Sequence, residues 1–201
     1  MSRAGEAIEV LRAGGLAVVP TDTVYGLAAR GDSEEAAHVL YAAKGRDPAQ
    51  PTALLFASVE ALLTRVPELP QDGVTAVRAL MPGPVTLVVA NPARRFAWLN
   101  LRRPDALGVR VPALGGPGRD VLDALGVLVA TSANLPGGPD PRRLGDVPDE
   151  IRAAADAVLD GGELAGAPST VIDLTGPEPV ILREGALPPG EALARLDSAR
   201  R

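Results

Sequence analysis

The stretch Val127-Leu128-Val129-Ala130-Thr131-Ser132-Ala133-Asn134 decides the fold class. Its first four residues are apolar without alternation. A short run of that kind reads as a strand buried on both faces, in the middle of an α/β sheet. The polar residues that follow, Thr131, Ser132 and Asn134, put two hydroxyls and an amide at the strand's carboxyl end. The junction recurs: Leu16 to Val19 runs into Pro20-Thr21-Asp22-Thr23-Val24-Tyr25-Gly26-Leu27, and Val180 to Leu182 runs into Arg183-Glu184-Gly185. Lys44-Gly45-Arg46 stands instead at the end of a helix. Ligands of open α/β sheets bind at the carboxyl ends of strands. The expectation is therefore one rim that collects hydroxyls, an amide, a lysine and two arginines, a set suited to an anion and a polar small molecule.

Outward from that stretch, helical and strand patterns alternate. Gly5 to Ala13 reads as a helix closed by Gly14-Gly15. Asp32-Ser33 caps a second, with Glu34 and Glu35 in its first turn, and this helix delivers Lys44. Pro48 and Pro51 forbid its continuation. Ala53 to Phe56, Val85 to Ala90 and Leu107 to Val111 read as strands. Helices are expected from Ser58 to near Pro67, from Asp72 to Met81 and from Gly118 to Leu125. Residues 91–105 lack a pattern, and Leu135 to Pro148 is a Gly- and Pro-rich loop. Pro148 is placed at the first position of the next helix. Short strands at Ala157 to Leu159, Thr170 to Leu174 and Val180 to Leu182 precede a terminal helix, Glu191 to Leu196. The fold class is α/β: one domain, 1–201, with an open, twisted mixed sheet flanked by helices.

Composition excludes several chemistries. There is no cysteine, so no disulfide, thiolate nucleophile or Cys-ligated zinc. The one histidine, His38, can build neither a multi-histidine metal site nor a nucleophilic Ser–His pair with a second histidine as orienter. No stretch approaches the ~20 apolar residues of a membrane span, and the first residues carry no signal-peptide core. A cytoplasmic protein is expected. Net charge is −5 and aromatics are 2%. Stable binding to bare tRNA is therefore not expected, since both phosphate attraction and base-stacking platforms are scarce.

Taken singly, each polar segment has a bland reading beside its functional one. Lys44 and Arg46, two cations one residue apart, can grip a polyphosphate as point charge and planar fork; Lys44 also complements a helix C-terminus. There is no Gly-x-x-x-x-Gly-Lys loop and no Gly-x-Gly-x-x-Gly, so a nucleotide is held some other way. The hydroxyls of Thr21, Thr23 and Tyr25 can bind a small polar substrate or merely close a turn. Ser132 and Asn134 can hydrogen-bond a ligand or cap a helix; without a histidine, Ser132 is a poor nucleophile. Arg110 between Val109 and Val111 faces either a pocket or solvent. Arg94, Arg95, Arg102 and Arg103 fall close together and read either as a local basic patch or as a solvated loop.

In their order, the segments resemble the YrdC-like family, whose best-known members are threonylcarbamoyl-AMP synthases. The resemblance rests on Pro20 to Leu27, Lys44-x-Arg46, Pro82-Gly83-Pro84-x-Thr86, Val109-Arg110-x-Pro112, Ser132-x-Asn134, Ser169-Thr170-Val171-Ile172-Asp173 and Arg183-Glu184-Gly185, and covers roughly residues 5–186. It implies an adenylating enzyme that takes L-threonine, bicarbonate and ATP, the ATP with Mg²⁺, and holds neither a prosthetic group nor a metal of its own. A tRNA-modifying transferase complex would consume the product. Carried across, Lys44 and Arg46 hold the ATP phosphates and are the catalytic pair. Ser132, Asn134, Asp140 and Arg183 hold the nucleotide, and Thr21, Thr23, Arg110 and Ser169 the threonine. The chain departs from the family pattern at Asp47, Thr52, Ala113-Leu114-Gly115 and Pro136/Asp140, and lacks the C-terminal domain of longer members. The alternatives are an RNA-binding or ribosome-associated module on this fold, or a carbamoyl-transfer paralogue with another substrate.

Overall fold

A computed structural model describes residues 2–47 and 49–201; Pro48, read above as a helix breaker, lies outside the described residues. The strands are β1 (Ala17–Pro20), β2 (Tyr25–Arg30), β3 (Ala53–Phe56), β4 (Val85–Ala90), β5 (Ala106–Arg110), β6 (Val127–Ser132), β7 (Ala157–Val158), β8 (Thr170–Asp173) and β9 (Val180–Arg183). The helices are α1 (Arg3–Arg12), α2 (Glu34–Ala43), α3 (Val59–Arg65), α4 (Gln71–Leu80), α5 (Gly116–Leu125), α6 (Asp149–Ala154) and α7 (Pro189–Arg200). The strands form one mixed sheet in the order β7-β1-β2-β6-β3-β5-β4-β8-β9. β6 is central, as its unbroken apolar run requires, and pairs antiparallel with both β2 and β3.

The two faces of the sheet are used differently. One carries Leu27, Leu54, Phe56, Leu87, Val109, Val129 and Ile172 into the main core, packed against residues of α2, α3, α4 and α7. The other is covered only toward β7 and β1, where Ala17, Val19, Ala28, Leu55 and Leu128 meet Ala7 and Leu11 of α1 and Val121 and Leu122 of α5. Beyond that the face is bare. Its floor there is a cross-strand row of small residues, Ala130 of β6 opposite Ala53 of β3, itself opposite Gly108 of β5. A Cβ on Gly108 would meet the Ala53 Cα at 3.1 Å and its Cβ at 3.2 Å, so the row admits nothing larger without movement.

The caps follow the sequence: Ser33 Oγ accepts from Ala36 N at 3.2 Å and Ser58 Oγ from Ala61 N at 3.0 Å. Three readings are corrected. Tyr25 to Leu27 is not part of a binding loop but begins β2, which pairs with β1 as a hairpin and with β6 on its far side. Pro148 is the N-cap of α6, not its first helical residue. Ser132 caps no helix; it is the last residue of β6.

Candidate functional site

The bare part of that face is a cavity of about 340 Å³, within the range of small-molecule sites. Alternate strand residues make its floor: Gly26, Ala130, Ala53, Gly108, Thr86, Val88 and Val171. The expectation of a single rim is thereby overturned. β1 and β6 both run antiparallel to β2 and so end at the same edge of the sheet. β9 runs antiparallel to β8 and delivers Arg183 to the other end. What gathers the segments is the concave face, and the rule for parallel strands does not govern a sheet this mixed.

Ten residues were singled out, and the cavity brings eight of them together: Thr21, Thr23, Arg46, Arg110, Ser132, Asp140, Ser169 and Arg183 line it, whereas Lys44 and Asn134 stand behind the lining. At one end Arg110, buried on β5, donates through Nη2 to Thr23 Oγ1 at 3.0 Å and is ion-paired with Asp22. Burial pushes its pKa down, Asp22 opposes that, and neighbouring Arg183 adds to the depression. The Thr21 hydroxyl is engaged in its own turn: it accepts from the N–H groups of Thr23 and Val24, both at 3.2 Å, and donates to Val24 O at 2.7 Å. Ser169 Oγ lies 2.9 Å from Thr86 Oγ1. Arg183 grips the Ser169 carbonyl through Nε and Nη2, at 3.0 and 2.8 Å, and Ser169 Oγ at 3.0 Å. Tyr25 is fully buried; its hydroxyl accepts from Gly161 N at 2.9 Å and donates to Gly162 O at 2.8 Å, holding the segment that crosses toward β8.

The other end is built by the C-terminus of α2 and the end of β6. Arg46 donates to Thr131 Oγ1 at 3.3 Å and to Pro51 O at 2.6 Å. Lys44 is the C-cap of α2 and is 7% exposed. Its ammonium donates to Ser132 O at 2.9 Å, to Asn134 Oδ1 at 3.1 Å and to Asn134 O. The helix end points inward, against the end of β6 and the loop that follows it. Burial pulls the Lys44 pKa down to about 8, the Arg46 charge pulls the same way, and Asp140 pulls back. Asn134 is a hub: Oδ1 accepts from Ser132 Oγ at 2.8 Å, and Nδ2 donates to Gly138 O at 2.8 Å and to Asp140 Oδ1 at 3.3 Å.

Five further polar residues without an assigned role also line the cavity: Thr52, Thr86, Asn100, Arg103 and Thr131. Asn100 and Arg103 come from the unpatterned stretch 91–105. Arg103 is not a free solvated arginine, since it donates to Asp173 Oδ2 at 2.8 Å and Thr175 Oγ1 at 2.6 Å. Arg95 and Arg102 are paired as well, with Glu68 and Asp47. The signal that could have found the floor is the placement of Ala53, Gly108 and Ala130 at the alternate positions of otherwise bulky strands. Arg46, Arg103, Arg110 and Arg183 make the lining strongly basic against the carboxylate of Asp140, although the chain is acidic. Such a hollow attracts a polyanion and offsets charge developing on it. Among the described residues no group of three or more His, Asp or Glu could hold a metal ion. Likewise no helix is long and apolar enough to cross a membrane.

The family model Sua5_yciO_yrdC, described as "Telomere recombination", matches residues 9–185. The chain is 35% identical over 181 residues to the threonylcarbamoyl-AMP synthase of Pyrococcus abyssi, covering 89% of this chain and 52% of that protein. It is 32% identical over 182 residues to a putative threonylcarbamoyl-AMP synthase of Mycobacterium tuberculosis, covering 89% and 82%. Among solved structures, P. abyssi Sua5 complexed with L-threonine matches with a TM-score of 0.84 at 32% identity, over 97% of this chain and 58% of that one. E. coli YciO matches with a TM-score of 0.79 at 26% identity, over 91% and 89%. The chain thus spans about half the length of the Pyrococcus relative.

Proposed function

The chain belongs to the Sua5/YciO/YrdC family, and from that premise we propose that it is a threonylcarbamoyl-AMP synthase. It converts L-threonine, bicarbonate and ATP to threonylcarbamoyl-adenylate, pyrophosphate and water. The observation that carries the reading is the basic cavity with a hydroxyl-lined wall, which suits a triphosphate beside a small amino acid. The likeness to a relative whose structure holds L-threonine supports the amino acid.

The threonine amine nitrogen bonds to the bicarbonate carbon while a bicarbonate C–OH bond breaks and water leaves, which gives the carbamate. A carbamate oxygen then bonds to the α-phosphorus while the bond to the β-phosphate bridge breaks and pyrophosphate leaves. An anion attacks an anion, so positioned cations must offset the repulsion and hold the two in line. Arg46 serves the phosphates from the lining, and Lys44 from behind it through the loop of Ser132 and Asn134. Asp140 joins them at the nucleotide end, and Arg183, beside Ser169 and Arg110, reaches the nucleotide from the end that takes the amino acid. Thr23, Arg110 and Ser169 take the threonine, with Thr21 shaping the turn that presents Thr23. Magnesium enters with ATP, held mainly by phosphates and water, with Asp140 the nearest lining carboxylate. The whole chain, 1–201, acts as one YrdC-like domain in the cytoplasm. Its product passes to a tRNA-modifying transferase complex, without stable binding of bare tRNA by this chain.

The test is to mix protein, ATP, L-threonine and bicarbonate and measure pyrophosphate and adenylate. Release should need all three substrates and favour threonine over serine by about 10- to 200-fold, the range for one methyl group. Release without an amino acid, or equal rates with serine, would reject the assignment.

A further inference from the structure

Asp22 lies at the junction of three elements that build one end of the cavity, yet it does not line the cavity itself. One carboxylate oxygen pairs with Arg110 on β5. The other accepts the Ala113 N–H at 2.9 Å, in the link between β5 and α5. Asp22 itself rides on the β1–β2 turn, between Thr21 and Thr23. Both partners of the ion pair are over nine-tenths buried, with side-chain exposures of 9% for Arg110 and 8% for Asp22. The Nη2 group that meets Asp22 also donates to Thr23 Oγ1.

We propose that Asp22 is a positioning residue for the amino-acid substrate: it sets the direction of the Arg110 guanidinium, which in turn holds the Thr23 hydroxyl, and so prepares the subsite for a carboxylate or carbamate. The inference rests on the synthase reading. A fold-stabilising pair would need only that the two charges meet. Here the carboxylate spends its second oxygen on a backbone N–H of the element that follows Arg110, which fixes the distance from turn to strand. The surroundings need it too. Arg183 stands close enough to raise the cost of a second cation, and among the described residues Asp22 is the carboxylate bonded to Arg110. Two guanidinium groups thereby remain charged side by side, ready for an anion, with one of them locked in direction.

The test is a steady-state comparison of wild type, Asp22→Asn, Arg110→Met and the double variant in threonine-dependent pyrophosphate release. Asp22→Asn keeps shape and loses charge. It should raise KM for L-threonine by about tenfold or more, as expected for loss of one charge-assisted hydrogen bond, with KM for ATP within about threefold of wild type. In the Arg110→Met background, Asp22→Asn should add no further rise, because the residue acts through Arg110. If Asp22→Asn alone does not fold, Asp22→Glu, which keeps the charge but displaces the carboxylate, takes its place: the threonine KM should rise in the presence of Arg110 and show no further rise in the Arg110→Met background. A threonine KM that stays put in Asp22→Asn while only the melting temperature falls, an equal rise for ATP, or a further rise in the Arg110→Met background would each overturn the inference. Wild type without threonine-dependent release would instead remove the synthase reading on which it stands.

Discussion

Leu54 and Ala53 are neighbours on β3, Val109 and Gly108 on β5, Val129 and Ala130 on β6, and each pair points to opposite faces of one sheet. On one side the larger members are sealed under four helices. On the other the smaller ones floor a basic hollow. The same strands are therefore core on one face and binding site on the other. The difference lies in side-chain volume and in where helices stop. α1 and α5 cover the second face only as far as β1, β2, β6 and part of β3, and the molecule forgoes apolar burial across the rest.

That contrast makes opposite predictions for residues of the two regions. Leu54→Ala on the sealed face should cost about 2–5 kcal/mol of stability, read by chemical denaturation, while the folded fraction keeps its turnover at low temperature. Arg46→Ala on the open face should do the reverse. Removal of one positioned charge lowers turnover by about 10²–10³, whereas the unfolding midpoint shifts little, since among the described residues the guanidinium hydrogen-bonds Thr131 and Pro51 at the cavity end. If Leu54→Ala abolished turnover in fully folded protein, or Arg46→Ala unfolded the chain, the division of labour between the faces would fail.

Lys44 sharpens the comparison because it belongs to both regions, being buried like the core and set behind the phosphate end. An unfolded lysine keeps its proton to about 10.5 and folded Lys44 to about 8. Between those values the unfolded chain binds more protons, so this residue makes the fold relatively more stable as pH rises. Its charge is lost to the site over the same interval. KM for ATP should therefore climb above pH 8, and Lys44→Arg should flatten that limb because arginine stays charged. A wild-type KM that is level from pH 7 to 9.5 would show that the Lys44 charge plays no part in holding ATP.

How far the sequence could be read follows from the same two faces. The sealed face was legible, because apolar residues at helix and strand period and the serines at Ser33 and Ser58 are local signals. β2 was not: its first residues share a polar turn, and its strand character comes from pairing with β6 a hundred residues away. The floor of the site escaped for a related reason. Small residues carry no chemistry of their own, and Gly108 matters because Ala53 stands beside it on the neighbouring strand. The chemical groups were legible as types. What was not legible was that Lys44 points inward, that Thr21 is occupied by its own turn, or that Arg103 from an unpatterned loop joins the lining.

Asp47 gives the smallest expected effect and the sharpest limit on the open face. It follows Arg46 directly, an anion beside the proposed phosphate grip. The structure places its carboxylate 3.1 Å from Arg102, with both side chains more than half exposed. It also accepts from Ala49 N at 2.9 Å, closing the local turn. An exposed pair of this kind is worth about 0–1 kcal/mol, so Asp47→Ala should barely move the unfolding midpoint. Its effect on ATP should be slight and favourable. Removing the anion that follows Arg46 leaves the Arg102 charge unpaired, lowering KM for ATP by less than about threefold at low salt, and the gain should fade near physiological ionic strength as screening shortens to about 8 Å. A fall in kcat/KM of tenfold or more in this variant would mean that Asp47 itself serves the site, and that the boundary between lining and solvent lies further out than the cavity suggests.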